Sequence, residues 1–370
     1  MRVHLVDPPA FTPPYDHALA SALARAGAEV ALITSRFAYG AVPDPDGYVR
    51  RELFYRHAVG AAGSGTRRLS KLVAHVPDML RYRRVAGGAD VVHFQWLTTP
   101  ILDQWLLPSD RPVVLTAHDL LPREPRPGQL AAQRRLLARV DAVVVHSEYG
   151  RGQLVGGLGL PADRVHVIRH GAFSHAVDGP RAPMPPELDG AGADGRAVVL
   201  FAGLLRPYKG LDTLLRAWPG VPGAELWIAG RPMMDLAPLR ALGGESVRWV
   251  PRFVSDGELA ALLERADVVV LPYARTQRFD QSGVLATALA FGKALVVSDI
   301  GGFSEIAATG AARLVAPDDA DALAAALSGL VADPAAREQL ATAALAAARG
   351  PYSWDAGARE TLALYERIRR

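Results

Sequence analysis

Residues 201–210 read F-A-G-L-L-R-P-Y-K-G. They close an apolar run, Ala197-Val198-Val199-Leu200-Phe201, with the composition of a buried strand. The run breaks at Gly203, presents Arg206 and Lys209, and leads into Leu211, Leu214, Leu215 and Trp218 at helical spacing. A strand that turns through glycine into a helix leaves backbone N–H groups and the positive end of the helix dipole at the turn, which favours an anion. Two cations three residues apart add charge-assisted contacts suited to a diphosphate. Taken alone, the stretch also fits an ordinary strand-to-helix turn with two solvated basic residues.

Outward from this turn, strand-like and helix-like segments alternate. Before it, apolar runs at 2–6, 29–34, 90–94, 112–116, 141–146 and 164–169 read as strands, with amphipathic helices such as 15–26 and 130–140 between them. Continuous apolar strands predict parallel sheets covered on both faces. Between 172 and 196 the pattern fails in a Pro- and Gly-rich stretch that reads as an interdomain linker. Strands then resume at 197–201, 224–229, 247–250, 267–271, 294–297 and 313–315, and the tail from about 320 is helical. The chain has 370 residues, half of them hydrophobic, enough for two cores. The expected architecture is α/β: two doubly wound Rossmann-like domains, 1–171 and 197–350, with the ligand cleft at the carboxyl ends of their strands.

Composition excludes several classes. The absence of Cys rules out disulfides, thiolate catalysis and zinc–cysteine sites. A net charge of only +3 does not favour nucleic acid as a partner. No apolar run approaches the roughly 20 residues that span a bilayer. The amino terminus reads as a first strand rather than a signal peptide, so a cytoplasmic location is expected. After that strand, Pro8-Pro9 stands where a dehydrogenase would carry a glycine-rich fingerprint.

The second half resembles the carboxyl-terminal domain of family 4 nucleotide-sugar glycosyltransferases, which have the GT-B fold. The matching blocks run in the family's order: Phe201 to Gly210, Trp227-Ile-Ala-Gly-Arg231-Pro232, Ala266-Asp267 to Pro272-Tyr273, Ser282-Gly283-Val284 to Gly292, and Ser298-Asp299 to Glu305. The first half matches more loosely through Val92-His93-Phe94-Gln95-Trp96, Thr116-Ala-His118-Asp119, Val145-His146-Ser147-Glu148 and His170-Gly171. Residues 42–65 and the linker lie outside the resemblance.

The resemblance implies transfer of a sugar from a nucleoside diphosphate to a hydroxyl, with retention and without a metal or other cofactor. Negative charge gathers on the leaving phosphate, so preorganised positive groups there are the main catalytic need. Arg206 and Lys209 are assigned to it. Gly203, Ser282, Gly283 and Val284 are expected to hold the donor, with the main chain near Arg252, Phe253 and Val254 at the base and Arg231 facing the nucleotide. The family carries two glutamates separated by seven residues at the start of the Ser282 helix. Counting places Thr287 at the second and Asp280 at the first, with the loop one residue short. Asp280 either holds the transferred sugar and steadies charge at its anomeric carbon, or pairs with Arg275 or Arg278. Glu305 either matches its helix dipole or contacts ribose. Ser282 is alternatively a plain helix cap.

In the first half, His118 and Asp119 follow a strand. His118 bonds a sugar hydroxyl or the acceptor, or is satisfied by its own backbone surroundings. Tyr15, Asp16 and His17 are expected acceptor contacts, with a base at Asp16 or His17. The prolines of the preceding loop remove N–H donors and put phosphate binding there in doubt. Asp44-Pro45-Asp46 imitates a metal-binding acidic pair but reads as a solvated turn. Residues 66–85 form a basic amphipathic helix split at Pro77. It is read as packed on its domain, with peripheral membrane contact the lesser reading. The acceptor is expected to be a small or lipid-linked hydroxylated molecule. Residues 351–370 are expected to cross back to the first domain, and the linker to permit closure on donor. The rival readings are a nucleotide-sugar epimerase, a phosphorylase, and a non-catalytic nucleotide-sugar-binding protein.

Overall fold

The computed structural model describes every residue except 39, 98, 122–126, 193, 277–280 and 370. The chain divides into two compact units, Met1–Arg169 with Trp354–Arg370, and His170–Ser353. It therefore passes between them at Arg169–His170 and again at Ser353–Trp354.

The first unit holds seven parallel strands: β1 (Arg2–Asp7), β2 (Glu29–Ser35), β3 (Val49–Phe54), β4 (Val91–Phe94), β5 (Val113–Thr116), β6 (Ala142–Val145) and β7 (Val165–Val167). Their order in the sheet is β3-β2-β1-β4-β5-β6-β7. β4 and β5 read V-V-H-F and V-V-L-T and are buried throughout, as parallel strands covered on both faces must be. β3 escapes the apolar-run criterion because it reads V-R-R-E-L-F; at the sheet edge only its last two residues are buried. The carboxyl-terminal helix Trp354–Ile368 belongs to this unit. Its Tyr365 hydroxyl lies 2.6 Å from His93 Nδ1, and Asp355 takes a 2.8 Å bond from Arg25.

The second unit holds six parallel strands: β8 (Ala197–Ala202), β9 (Ala224–Ala229), β10 (Val247–Val250), β11 (Val268–Leu271), β12 (Ala294–Ser298) and β13 (Ala312–Val315). They are ordered β10-β9-β8-β11-β12-β13. Both sheets change winding direction beside their first strand, between β1 and β4 and between β8 and β11, and loops leaving the carboxyl ends there line a crevice.

Two expectations are corrected. Residues 172–196 are no loose linker. They belong to the second unit, where Ala172 and Leu188 enter the core and Pro186–Leu188 forms a short turn. Pro77 does not split its helix, which runs unbroken over Gly65–Ala86. The lost N–H bond falls one turn after Val73, on an outer face open to water, where the cost is lower than in a core. That helix buries His75, Met79, Tyr82 and Ala86, while Leu69 and Val73 of the apolar stripe are 63% and 70% exposed. Among the described residues no helix is long and apolar enough to cross a membrane.

Candidate active site

Three loops of the second unit are stitched together at the switch between β8 and β11. Gly203 (φ +107°) ends β8, and Gly210 (φ +69°) ends the turn that follows it. A Cβ on Gly210 would fall 1.8 Å from the Pro272 carbonyl oxygen, so only glycine lets this turn pack on the loop after β11. The Ala274 N–H donates to the Tyr208 carbonyl across the same junction (2.9 Å). On the other side, Leu205 N–H donates to the Arg231 carbonyl (3.0 Å) and Met233 N–H to the Leu205 carbonyl (2.9 Å).

This backbone frame fixes Lys209. The residue sits in a single 3-10 turn, Pro207–Lys209, and is only 7% exposed. Its Nζ lies 5.2 Å from the Tyr273 ring centroid, and so close to Gly203 that a Cβ there would approach it to 2.8 Å. That same Cβ would meet Val284 at 3.1 Å, which places Gly203, Lys209 and Val284 around one spot. Arg206 stands at the entry to the turn with its Nε buried and without a hydrogen-bond partner. A buried unpaired guanidinium N–H costs free energy unless a ligand accepts from it.

Ser282 precedes the helix Gly283–Ala290, but its side chain does not cap that helix. The hydroxyl lies 3.0 Å from the buried Tyr273 phenol instead. The first N–H groups of the helix are thus left to another acceptor. Thr287 donates its hydroxyl to the Gly283 carbonyl (2.8 Å) one turn back. Glu305 is in the first turn of the short helix Phe303–Ala307, after Gly301 and Gly302, and Gln281 Nε2 donates to the Gly302 carbonyl at 3.3 Å. Asp280 and Arg278 lie outside the described residues.

At the end of β10, Phe253 is 62% exposed. Its neighbour Arg252 is committed to structure, donating to Glu187 (2.7 Å) and Glu258 (2.8 Å). The Arg252 guanidinium holds the Glu258 carboxyl down to about 2, helped by the Ser255 cap. Phe253 and Val254 are thereby presented on a braced corner. Arg231 follows β9 and its side chain is exposed.

In the first unit His118 follows β5 and is held by its neighbours. It stacks on Trp96 (4.9 Å between centroids, 17°) and meets Tyr15 edge-on (4.6 Å). His146 donates from Nδ1 to the Ile168 carbonyl (2.9 Å), so its Nε2 accepts from His118 Nδ1 (3.4 Å). Burial pulls the His146 pKa down to about 4, which keeps that ring neutral and the tautomer fixed. His118 Nε2 then faces the Gln95 amide (3.3 Å).

Tyr15 and Asp16 are buried in the helix Pro13–Arg25; Trp354 also packs edge-on against the Tyr15 ring at 4.9 Å. Asp16, 1% exposed, neighbours Asp7 at the end of β1, and the Oδ1 atom of each is buried without a hydrogen-bond partner. Burial raises the pKa of both carboxyls, and the charge of Asp7 raises that of Asp16 further. Asp7 also accepts from the Phe11 N–H (2.8 Å), shaping the proline loop. His17 is half-buried beside Tyr48 (3.1 Å), and Asp119 follows His118 in the same loop, half-buried like it. Asp46 reaches Arg25 at 4.0 Å, and no group of three His, Cys, Asp or Glu side chains placed to hold a metal exists among the described residues.

Gln95, Trp96, His146 and Tyr273 were missed as site residues. Each stands inside a quoted sequence block, beside the strand end that carries it, so the signal was position rather than residue type. Asp7 and its carboxyl partnership had no local signature at all.

The family model described as Glycosyltransferase Family 4 matches residues 15–172, and the one described as Glycosyl transferases group 1 matches 196–333. An alpha-maltose-1-phosphate synthase of Mycolicibacterium smegmatis is 30% identical over 76% of this chain and 80% of its own. A phosphatidyl-myo-inositol mannosyltransferase of the same organism is 29% identical over 76% of this chain and 72% of its own. Among solved structures, a sucrose-phosphate synthase from Thermosynechococcus elongatus superposes with a TM-score of 0.74 at 19% identity, covering 100% of this chain and 99% of that one. Anabaena HepE in complex with UDP gives 0.72 at 16% identity, over 99% and 100%. The two parallel sheets, the ordered blocks and these likenesses agree: the chain belongs to the family 4 glycosyltransferases, enzymes of the GT-B fold class.

Proposed function

We propose that the enzyme moves a sugar from a nucleoside diphosphate to a hydroxyl of a small acceptor, with retention and with no metal ion. The observation that carries this reading is the grouping of Gly203, Lys209 and Val284, with the orphaned Arg206 Nε at the entrance of the same turn. HepE, a structural neighbour, is complexed with UDP and with UDP-glucose, which supports the donor class. As the bond from sugar to diphosphate breaks, charge accumulates on the leaving oxygens. Arg206, Lys209 and the N–H groups at Gly283 and Val284 are arranged to take it up without reorganisation. Side chains and a helix end thus supply the positive charge that a metal would otherwise bring.

On the acceptor side, His118 is the group suited to bond a reacting sugar or acceptor hydroxyl. Its ring plane is set by Trp96 and Tyr15, and its Nδ1 by His146. Asp16 is a poor general base: it is buried and holds its proton against Asp7. Thr287 can accept from a ribose hydroxyl but supplies no charge. A thermal-shift screen of nucleoside diphosphates and their sugars identifies the donor by mass action. Transfer assays with excess chelator, with the new linkage read by proton NMR, then test the rest. Activity lost to chelator and restored by magnesium or manganese refutes the metal-free reading, and an inverted anomeric linkage refutes retention.

A further inference from the structure

The helix Trp354–Ile368 comes from the far end of the chain, yet it reaches the surroundings of His118 by two routes, both within the first unit. The first is ring contact. Trp354 packs edge-on against Tyr15 (4.9 Å between centroids, 81°), and Tyr15 packs edge-on against His118 (4.6 Å, 89°). The second is a chain of buried hydrogen bonds. The Tyr365 hydroxyl lies 2.6 Å from His93 Nδ1, and His93 Nε2 lies 2.8 Å from the Thr116 hydroxyl. That same hydroxyl bonds the Tyr15 phenol. Tyr365, His93 and Thr116 are each at most 2% exposed, so water replaces none of these partners.

Proton bookkeeping ties the links together. Burial holds His93 down to about 3, so its ring is neutral, with one N–H and one lone pair. Burial also pushes the Tyr15 and Tyr365 phenols above their usual value, so both keep their protons. Thr116 has a single proton to give, to His93 or to Tyr15. The bonds therefore run in one direction from end to end, and each polarises the next. Loss of the hydroxyl at the Tyr365 end strands a buried imidazole nitrogen and unsettles the links behind it. The chain ends on the phenol whose ring braces His118 from the side, while Trp96 stacks on its face. Thr116 also closes β5, the strand that delivers His118. We infer that Tyr365 is a positioning residue for His118, acting through His93, Thr116 and Tyr15, so that the carboxyl-terminal helix is a working part of the acceptor side. This rests on the reading of His118 as the group that bonds a reacting hydroxyl. A displacement of about 1 Å in such a group costs on the order of a hundredfold in rate, so a buried hydroxyl controls turnover without touching substrate.

Proton–nitrogen NMR of the histidine rings tests the positioning with no ligand present. Tyr365→Phe removes one oxygen and should displace the His118 ring resonances. Thr116→Val should do the same, and Thr116→Ser, which keeps the hydroxyl, should restore them. Thr361→Val is the control: the Thr361 hydroxyl is buried on the same helix but donates to the Gly357 carbonyl (2.7 Å), outside the chain. His118 resonances that move no further in Tyr365→Phe and Thr116→Val than in Thr361→Val overturn the inference. Turnover is read as nucleoside diphosphate released from whichever UDP-, GDP-, ADP- or dTDP-linked sugar gives the largest thermal shift. Tyr365→Phe should lower kcat on the order of tenfold or more with the donor KM unchanged, and should cost nothing further in a His118→Ala background. An equal loss in both backgrounds gives Tyr365 a structural role alone and overturns the inference. Displaced His118 resonances in a chain that releases no nucleoside diphosphate uphold the positioning and sink the transferase reading.

Discussion

The loops after β1 and β8 occupy the same position in their two sheets, beside the strand where winding reverses, yet they are built from opposite materials. After β8, glycines at 203 and 210 let backbone pack on backbone and hold a buried lysine against an aromatic ring. After β1, prolines at 8, 9, 13 and 14 stiffen the chain, and two buried carboxyls, Asp7 and Asp16, lie beneath it with their pKa values raised by burial. One loop gathers positive charge, which the proposed function assigns to the leaving diphosphate. The other offers few N–H donors and buries its charge. The same topology therefore assigns the two loops no common chemistry; the residues at the strand ends do that.

The comparison breaks most readily at Lys209. Replacing Lys209 or Arg206 by Ala should slow transfer on the order of a hundredfold or more, the usual cost of one donor aimed at developing charge. Transfer at the wild-type rate in both variants, measured at saturating donor, would show that this turn is not the phosphate site. Next comes the frame itself. Gly210→Ala sets a Cβ 1.8 Å from the Pro272 oxygen in a left-handed backbone, so the second unit should lose at least about 1–3 kcal/mol. An unchanged urea midpoint would mean that the two loops do not pack as described.

The units should also respond differently to acid. Burial holds His93 down to about 3 and His146 to about 4, while an unfolded histidine takes its proton near 6.5. Their contribution is complete above about pH 6.5 and drains away as the pH falls towards 4. In the second unit, Glu258 is depressed to about 2, so its contribution is lost only between about 4.5 and 2. Hydrogen exchange, corrected for its intrinsic rate, should show β4–β6 opening at a milder pH than the helix Asp256–Arg265. Simultaneous opening would contradict this ordering.

The smallest effect is expected at Asp16. Both carboxyls of its pair titrate above their unfolded values, so folding holds a proton and stability falls as pH rises through the raised folded values. Asp16→Asn preserves a neutral side chain and should change stability at low pH by less than about 1 kcal/mol. It should flatten the fall in melting temperature with rising pH; an unaltered slope would mean that burial does not raise these carboxyls.

The sheets were legible because parallel strands are continuous apolar runs, and the turn at 203–210 because glycine and cations stand at fixed offsets from a strand end. β3 was not, since an edge strand half open to water can read V-R-R-E-L-F. The linker misled for a related reason: Pro and Gly forbid regular helix and strand but not packing, and Leu188 reaches the core from such a stretch. His118 was read from its strand end, whereas its described neighbours come from the ends of β4 and β6 and from the helix Pro13–Arg25. The Asp7–Asp16 partnership depends on which elements meet in space, which no local spacing records. The helix at 65–86 was misjudged because its apolar stripe was assumed to face inward, and its first half faces out.

The most direct test of the central claim is calorimetric titration of the wild-type chain and of Lys209→Ala with the nucleoside diphosphate found by thermal shift, in excess chelator. A charge-assisted contact to phosphate predicts that the wild type binds without metal and that the variant binds on the order of tenfold or more weakly. Equal affinity in the two proteins, or wild-type binding that appears only when a divalent cation is added, would contradict it.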